Sequence, residues 1–142
     1  MLATDLGPAS AAATEQAITI AAQLRARLLV TSVVDEEGRH KEDPGPRVDQ
    51  IRAGQEVGVQ DVVHAARRRG VEATFLVWEG APGEAILNAA RAEDVDLIVV
   101  GTRGRGPVGR LLLGSVSDHV VRHADCPVLV VRNESEQGRG DA

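Results

Sequence analysis

Residues Asp96 to Ser115 read DLIVVGTRGRGPVGRLLLGS, an aliphatic run that breaks without transition into glycines and arginines. Asp96 to Val100 predicts a strand buried on both faces, because a continuous branched aliphatic run leaves no side for water. From Ser115 to His123 the spacing predicts a helix, and Val128 to Val131 a further short strand. Strand, glycine-rich loop, helix, strand is the repeating unit of a parallel sheet.

The same alternation extends upstream. Pro82 sits where a first-turn proline opens a helix running to about Glu93. Before it, Val71, Ala73, Phe75 and Val77 alternate with Glu72, Thr74, Leu76 and Trp78, which predicts a third strand over Val71 to Trp78, nearer an edge of the sheet. Arg47 to Arg69 carries Val59, Val62, Val63 and Ala66 on one helical face and ends at Gly70. Gly54 and Gly58 weaken that helix by about 1 kcal/mol each relative to alanine. Leu28 to Val34 is the second buried strand, and Asp35 to Pro46 (DEEGRHKEDPGP) is a charged loop, expected to be solvated and mobile and in a position to cover a ligand. Ser10, as N-cap, opens a helix to about Arg25 with Ala17, Ile20, Ala21 and Leu24 inward. Met1 to Thr4 is a short first strand that ends in the turn chemistry of Asp5, Gly7 and Pro8. The order βαβαβαβαβ implies one doubly wound α/β domain with helices on both faces of a parallel sheet. Ligands of such sheets bind at the carboxyl ends of the strands, where the winding reverses.

Composition narrows the function. The chain has 142 residues, 43% of them apolar, with one Phe, one Trp and no Tyr. Such a core offers little for base stacking, and a net charge of -5 argues against a nucleic-acid backbone as partner. Cys126 is the single cysteine, so no internal disulfide forms, and there is no apolar run of the roughly 18 residues that a membrane span needs. These features point to a cytoplasmic protein. Cys126, ahead of Pro127, reads as a small buried hydrophobe.

The loop after the fourth strand is where chemistry concentrates. Gly101 and Gly104 frame Thr102 and Arg103; nine residues later come Gly114 and Ser115 at a helix start. Glycines let backbone N–H groups approach an anion, and a helix N-terminus points positive potential at it. Ser115 and Ser117 add hydroxyls, and Arg103, Arg105 and Arg110 add positive charge, a combination suited to a polyanion. Competing readings fail on context. Gly104, Gly106 and Gly109 spell G-x-G-x-x-G, but a dinucleotide fingerprint belongs after the first strand of a βαβ unit, with an acidic residue about 20 positions on. No Gly-Lys-Ser or Gly-Lys-Thr occurs, so a Walker loop is absent. His119 and His123 stand one turn apart without a third ligand at metal spacing, and His40 and His64 add none. Adjacent Asp118 and His119 point in different directions on a helix and make no triad with Ser115. Trp78 reads as packing.

The pattern G-x-x-G, nine residues, G-[ST] resembles the nucleotide signature of ATP-binding universal stress proteins, and all four fixed positions match. Ala3, Thr4 and Asp5 are similar to that family's first strand and acidic turn, and VSDHVVRHADCPVLVV after Ser115 resembles its closing helix and strand. The resemblance implies a Rossmann-like, three-layer domain of the adenine nucleotide alpha hydrolase type, with a five-stranded sheet in the order 3-2-1-4-5, over residues 1–132. It leaves 133–142 as a flexible polar tail. It implies an ATP site in which Ala3, Thr4 and Asp5 lie near ribose and adenine and Val33 offers its backbone to the base. Val100, Gly101, Thr102, Arg103, Gly104, Arg105, Gly106 and Pro107 would wrap sugar and phosphates, and Gly114, Ser115, Val116 and Ser117 would cap the phosphate tail, with Mg²⁺ as companion. It further implies a homodimer through Val128, Leu129, Val130 and Val131, and a nucleotide-dependent role in stress response. A slow ATPase or autophosphotransfer enzyme with Ser115 or Ser117 as acceptor is the alternative, and a nucleotide-free interaction protein the third. Two departures stand out: family members normally have several more residues ahead of the acidic turn, which would truncate the first strand or place the true start upstream, and Leu6-Gly7-Pro8 replaces the small polar residue common after Asp5.

Overall fold

A computed structural model describes residues 1–35, 48–102 and 113–133. In chain order it contains β1 (Leu2–Ala3), α1 (Ala11–Leu24), β2 (Leu28–Val34), α2 (Val48–Arg68), β3 (Ala73–Glu79), α3 (Pro82–Ala92), β4 (Ile98–Gly101), α4 (Ser115–His123) and β5 (Val128–Val131). The five strands form one sheet in the order β3-β2-β1-β4-β5, as the resemblance implies, and every pairing is parallel. Leu2 is paired with Val30 on one side and Val99 on the other, and Ala3 with Thr31 and Val100.

Strand parity sorts side chains into two cores. Leu2, Leu28, Val30 and Val99 meet Ala13, Ala17 and Ile18 of α1 and Val59, Val63 and Ala66 of α2. Ala3, Ile98 and Val100 meet Ile86, Leu87, Ala89 and Ala90 of α3 and Val120 of α4. Helices therefore cover both faces. Trp78 packs against the second core, as expected, with its indole N–H buried and unpaired, and Cys126, half-buried rather than fully buried, packs there too.

Several element boundaries differ from the sequence reading, beginning with the first strand, which is expected over Met1 to Thr4 and pairs over Leu2–Ala3. The third strand begins at Ala73 instead of Val71, because the Val71 N–H donates to Ala66 O and closes the end of α2 beyond left-handed Gly70 (φ 78°). Val71 is nonetheless buried. The fourth strand begins at Ile98, whose N–H donates to Pro127 O at 3.0 Å, and runs through Gly101. Ser10 precedes α1 but does not cap it through its side chain; a 3₁₀ turn over Pro8–Ser10 enters the helix, and the Ser10 hydroxyl donates to Asp5.

The two edges of the sheet differ. Glu72 O accepts from Leu28 N, so the odd-numbered carbonyls of β3 face outward. Two of these are covered by arginines of α2. Arg67 donates to Ala73 O through Nε (3.2 Å) and Nη2 (2.9 Å), and Arg52 Nη2 donates to Val77 O (3.2 Å). Arg52 also donates to Glu79 and Glu56, and its pKa rises, chiefly through the Glu79 hydrogen bond. At β5, Pro127 O and Val131 O accept from Ile98 N and Thr102 N, which turns the N–H and C=O of Val128 and Val130 outward. Among the described residues no side chain donates to them.

Because Leu2 is fully buried in the central strand, Leu2→Ala is expected to cost about 2–5 kcal/mol, read from the urea midpoint at constant m-value. Leu24, expected on the inward face of α1, is instead 71% exposed, because the buried face runs through Ala13, Ala17, Ile18 and Ala21; Leu24→Ala is therefore the control and is expected to change stability by less than about 0.5 kcal/mol.

Candidate functional site

The winding reverses between β1 and β4, whose crossovers leave on opposite faces, and a cleft of about 260 Å³ opens there at the carboxyl ends of the strands. Its walls come from six places. Ala3 ends β1 and Thr4 and Asp5 follow it; Ala9 and Ser10 lie in the 3₁₀ turn ahead of α1; Thr31, Ser32, Val33 and Asp35 belong to β2 and its end; Val100, Gly101 and Thr102 end β4. Pro82 and Ile86 lie at the start of α3, and Gly114, Ser115, Val116 and Ser117 at the start of α4. All eleven site residues expected from sequence that fall within the described part of the chain therefore line one cleft. Arg103, Gly104, Arg105, Gly106 and Pro107 lie outside the described residues.

The turn after β1 is built around one carboxylate oxygen. Asp5 Oδ1 accepts from Gly7 N at 2.9 Å and from the Ser10 hydroxyl, and a Cβ at residue 7 would stand 3.1 Å from it. Glycine at 7 thus serves close approach, its φ of −77° being open to any residue. Thr4 Oγ1 accepts from Leu6 N at 3.0 Å. At the end of β4, Gly101 allows the strand to approach the 3₁₀ turn: a Cβ there would lie 3.3 Å from Ala9 O and 3.6 Å from Ala13 Cβ.

The fourth helix starts at the cleft. Gly114 is its N-cap, with φ −58° and ψ 158°, and no side chain caps it. Asp118 N donates to Gly114 O at 2.8 Å, and the N–H groups ahead of it belong to the first turn, which lacks intrahelical acceptors. Ser115 is exposed there, while Ser117 is buried with its hydroxyl 3.5 Å from Gly114 O. This end of the cleft offers donors and a positive dipole to an anion.

At the other end, Ser32 donates to Gln55 Oε1 at 3.3 Å, and Gln55 Nε2 donates to Val33 O at 3.4 Å. The second lone pair of that carbonyl remains for a ligand. The aliphatic Val33, Val100 and Ile86 provide apolar surface between the polar ends. Among the described lining residues the charged side chains are Asp5 and Asp35, both acidic. His119 and His123 stack with centroids 4.4 Å apart, and no group of three metal-ligating side chains occurs among the described residues.

Ala9, Ser10, Thr31, Ser32, Asp35, Pro82 and Ile86 also line the cleft, unannounced by the glycine motif. Thr31, Ser32 and Asp35 were legible only as neighbours of Val33 at a strand end. Ser10 carried the signal of a helix cap, and its hydroxyl turns instead to Asp5.

The family model described as "Universal stress protein family" matches residues 1–132. A universal stress protein of Methanocaldococcus jannaschii is 33% identical over 142 aligned positions, covering 96% of this chain and 83% of that protein. One from Thermus aquaticus is 61% identical over 57 residues, a match that spans 40% of this chain and 42% of the relative. Among solved structures, universal stress protein UspA from Lactobacillus plantarum superposes with a TM-score of 0.73 at 27% identity, covering 92% of this chain and 95% of its own. A universal stress protein crystallised in complex with cAMP gives a TM-score of 0.71 at 26% identity, over 92% of this chain and 93% of that one. With the family model spanning the sheet from β1 to β5 and the cleft at its switch point, the chain belongs to the universal stress protein family.

Proposed function

We propose that this protein is a nucleotide-dependent regulatory module of the stress response whose cleft binds an adenine nucleotide, with ATP as its ligand. The observation that carries the reading is convergence. Segments far apart in sequence, Ala3–Asp5, Val33, Val100–Thr102 and Gly114–Ser117, border one cavity with an apolar middle and a helix N-terminus at one end. The cAMP complex of a structural relative supports an adenine nucleotide as the ligand class. In this reading the base lies against Val33 and Ile86, the ribose faces Asp5, and the phosphates reach the first turn of α4. Arg103, Arg105 and Arg110 follow Thr102 in sequence and supply the positive charge the described lining lacks, with Mg²⁺ accompanying the phosphates. The protein acts as a homodimer through β5, a reading supported by the contrast between its outward-facing backbone and the arginine-covered edge of β3.

Purified protein is expected to release ATP or ADP on denaturation, or else to gain about 2.7 kcal/mol of stability from Mg·ATP at 100 times its dissociation constant. An empty protein with no thermal shift in millimolar Mg·ATP would overturn the nucleotide assignment. Ser115→Asp separates binding from folding. A carboxylate at the first position of α4 favours the helix by about 0.3–1 kcal/mol and repels phosphate, so the melting temperature should hold or rise while ATP binding is lost by calorimetry. For the dimer, Val130→Pro removes an outward N–H that β4 does not use. Light scattering should then report a folded monomer where the parent is a dimer, and a persisting dimer would refute pairing through β5.

A further inference from the structure

The turn that carries Asp5 contains a conformational mismatch. Leu6 has φ 63°, in the left-handed region that a γ-branched residue enters only under strain, while Gly7 beside it has an ordinary φ of −77°. A turn selected for local comfort alone would place a glycine at position 6. The side chain of Leu6 must therefore do something that outweighs the strain, and its contacts indicate what. It does not line the cleft bordered by Thr4 and Asp5; it packs in the opposite direction, against the α1/α2 core. There it rests directly on Gly58 in the middle of α2. A Cβ at Gly58 would stand 2.6 Å from Leu6 Cδ1 and 3.3 Å from Cδ2, so the isobutyl group fills the space that the glycine leaves open. Gly54, one turn earlier, meets nothing within 4 Å, so the close approach belongs to position 58.

We infer that Leu6 is a positioning residue for the nucleotide cleft: plugged into the notch at Gly58, it holds the Thr4–Ser10 turn, and with it Asp5, at the rim of the site. The chain from Thr4 to Ser10 is tied locally, Leu6 N to Thr4 Oγ1, Gly7 N and the Ser10 hydroxyl to Asp5 Oδ1, and Ser10 N to Gly7 O. These bonds make the turn a unit. The Leu6–Gly58 contact anchors that unit to a helix that itself contributes Gln55 to Ser32 and Val33 at the cleft. The same contact accounts for a glycine in the interior of a 21-residue helix, where it would otherwise only weaken the structure.

The inference rests on the adenine-nucleotide reading, and the test separates the two. Leu6→Asn keeps a side chain tolerant of the left-handed conformation and removes the apolar plug; Gly58→Ala fills the notch and favours the helix. Mg·ATP affinity is measured by calorimetry, stability by urea denaturation, and order parameters of the Gly7 and Ser10 amides by NMR without nucleotide. Both variants are expected to bind Mg·ATP about tenfold more weakly, with a urea midpoint that in Gly58→Ala does not fall, since loss of preorganisation acts on binding. Amide order at Gly7 and Ser10 should fall in both. Unchanged order in the folded variants overturns the positioning role whatever the ligand, and so does unchanged affinity beside lowered order. Should the parent bind no Mg·ATP while order falls as expected, the anchoring stands and the nucleotide reading fails.

Discussion

Two residues hold the halves of this sheet together. Leu2 and Ala3 of β1 pair on both sides, with Val30 and Thr31 on β2 and with Val99 and Val100 on β4. Every other strand-to-strand junction lies within one half. The backbone must leave this central strand immediately, because the next residues, Thr4 and Asp5, already border the cleft. Displacement of β1 moves the ladder and the acidic turn together.

That coupling explains the small residues around the turn. Ala9 and Ala13 face the end of β4 where Gly101 has no side chain, and the resulting approach brings the 3₁₀ turn against the strand that ends at the cleft. On the opposite face, a Cβ at Gly83 would lie 2.6 Å from the His119 ring, so the first turn of α3 and the middle of α4 are in direct contact. This contact sets the depth of α4 against the sheet, and so the place of its first turn over the cleft. Glycines at 83 and 101 permit close approach between elements that carry cleft residues, and Gly58 admits Leu6 from the turn that follows β1.

Much of this was legible before any coordinates. The extents of β2, α4 and β5 follow from aliphatic runs and a glycine before a serine, signals that depend on local chemistry alone. The described part of the predicted site converges as expected because parallel topology gathers strand ends at one edge. What failed depended on competition between partners. Val71 had the pattern of a strand residue, but its N–H lies on the outward parity of an edge strand and goes instead to Ala66 O, closing the end of α2. Ser10 had the chemistry of a cap, whose oxygen accepts from the first turn of α1, but its hydroxyl is turned to donate to Asp5, a partner that sequence spacing alone does not reveal. The meeting of Leu6 with Gly58 spans residues far apart in sequence, and neither hydrophobic periodicity nor propensity encodes it; the glycine looked only like a weak point in a helix.

The aliphatic composition has a structural consequence beyond excluding base stacking. With alanines at 13, 17 and 21 on α1 and at 85, 89 and 90 on α3, the buried helix faces present methyl groups where larger residues would hold the helices off the sheet. Close packing gains dispersion contacts with little side-chain entropy to lose, since alanine has no rotamers to fix. It also leaves little slack: a helix seated on methyl groups cannot sink further when a strand-end residue is truncated, and cannot rise without opening a gap. A cleft bordered by the first turn of α3 and by the 3₁₀ turn that enters α1 is thus framed by two helices with little freedom to shift against the sheet.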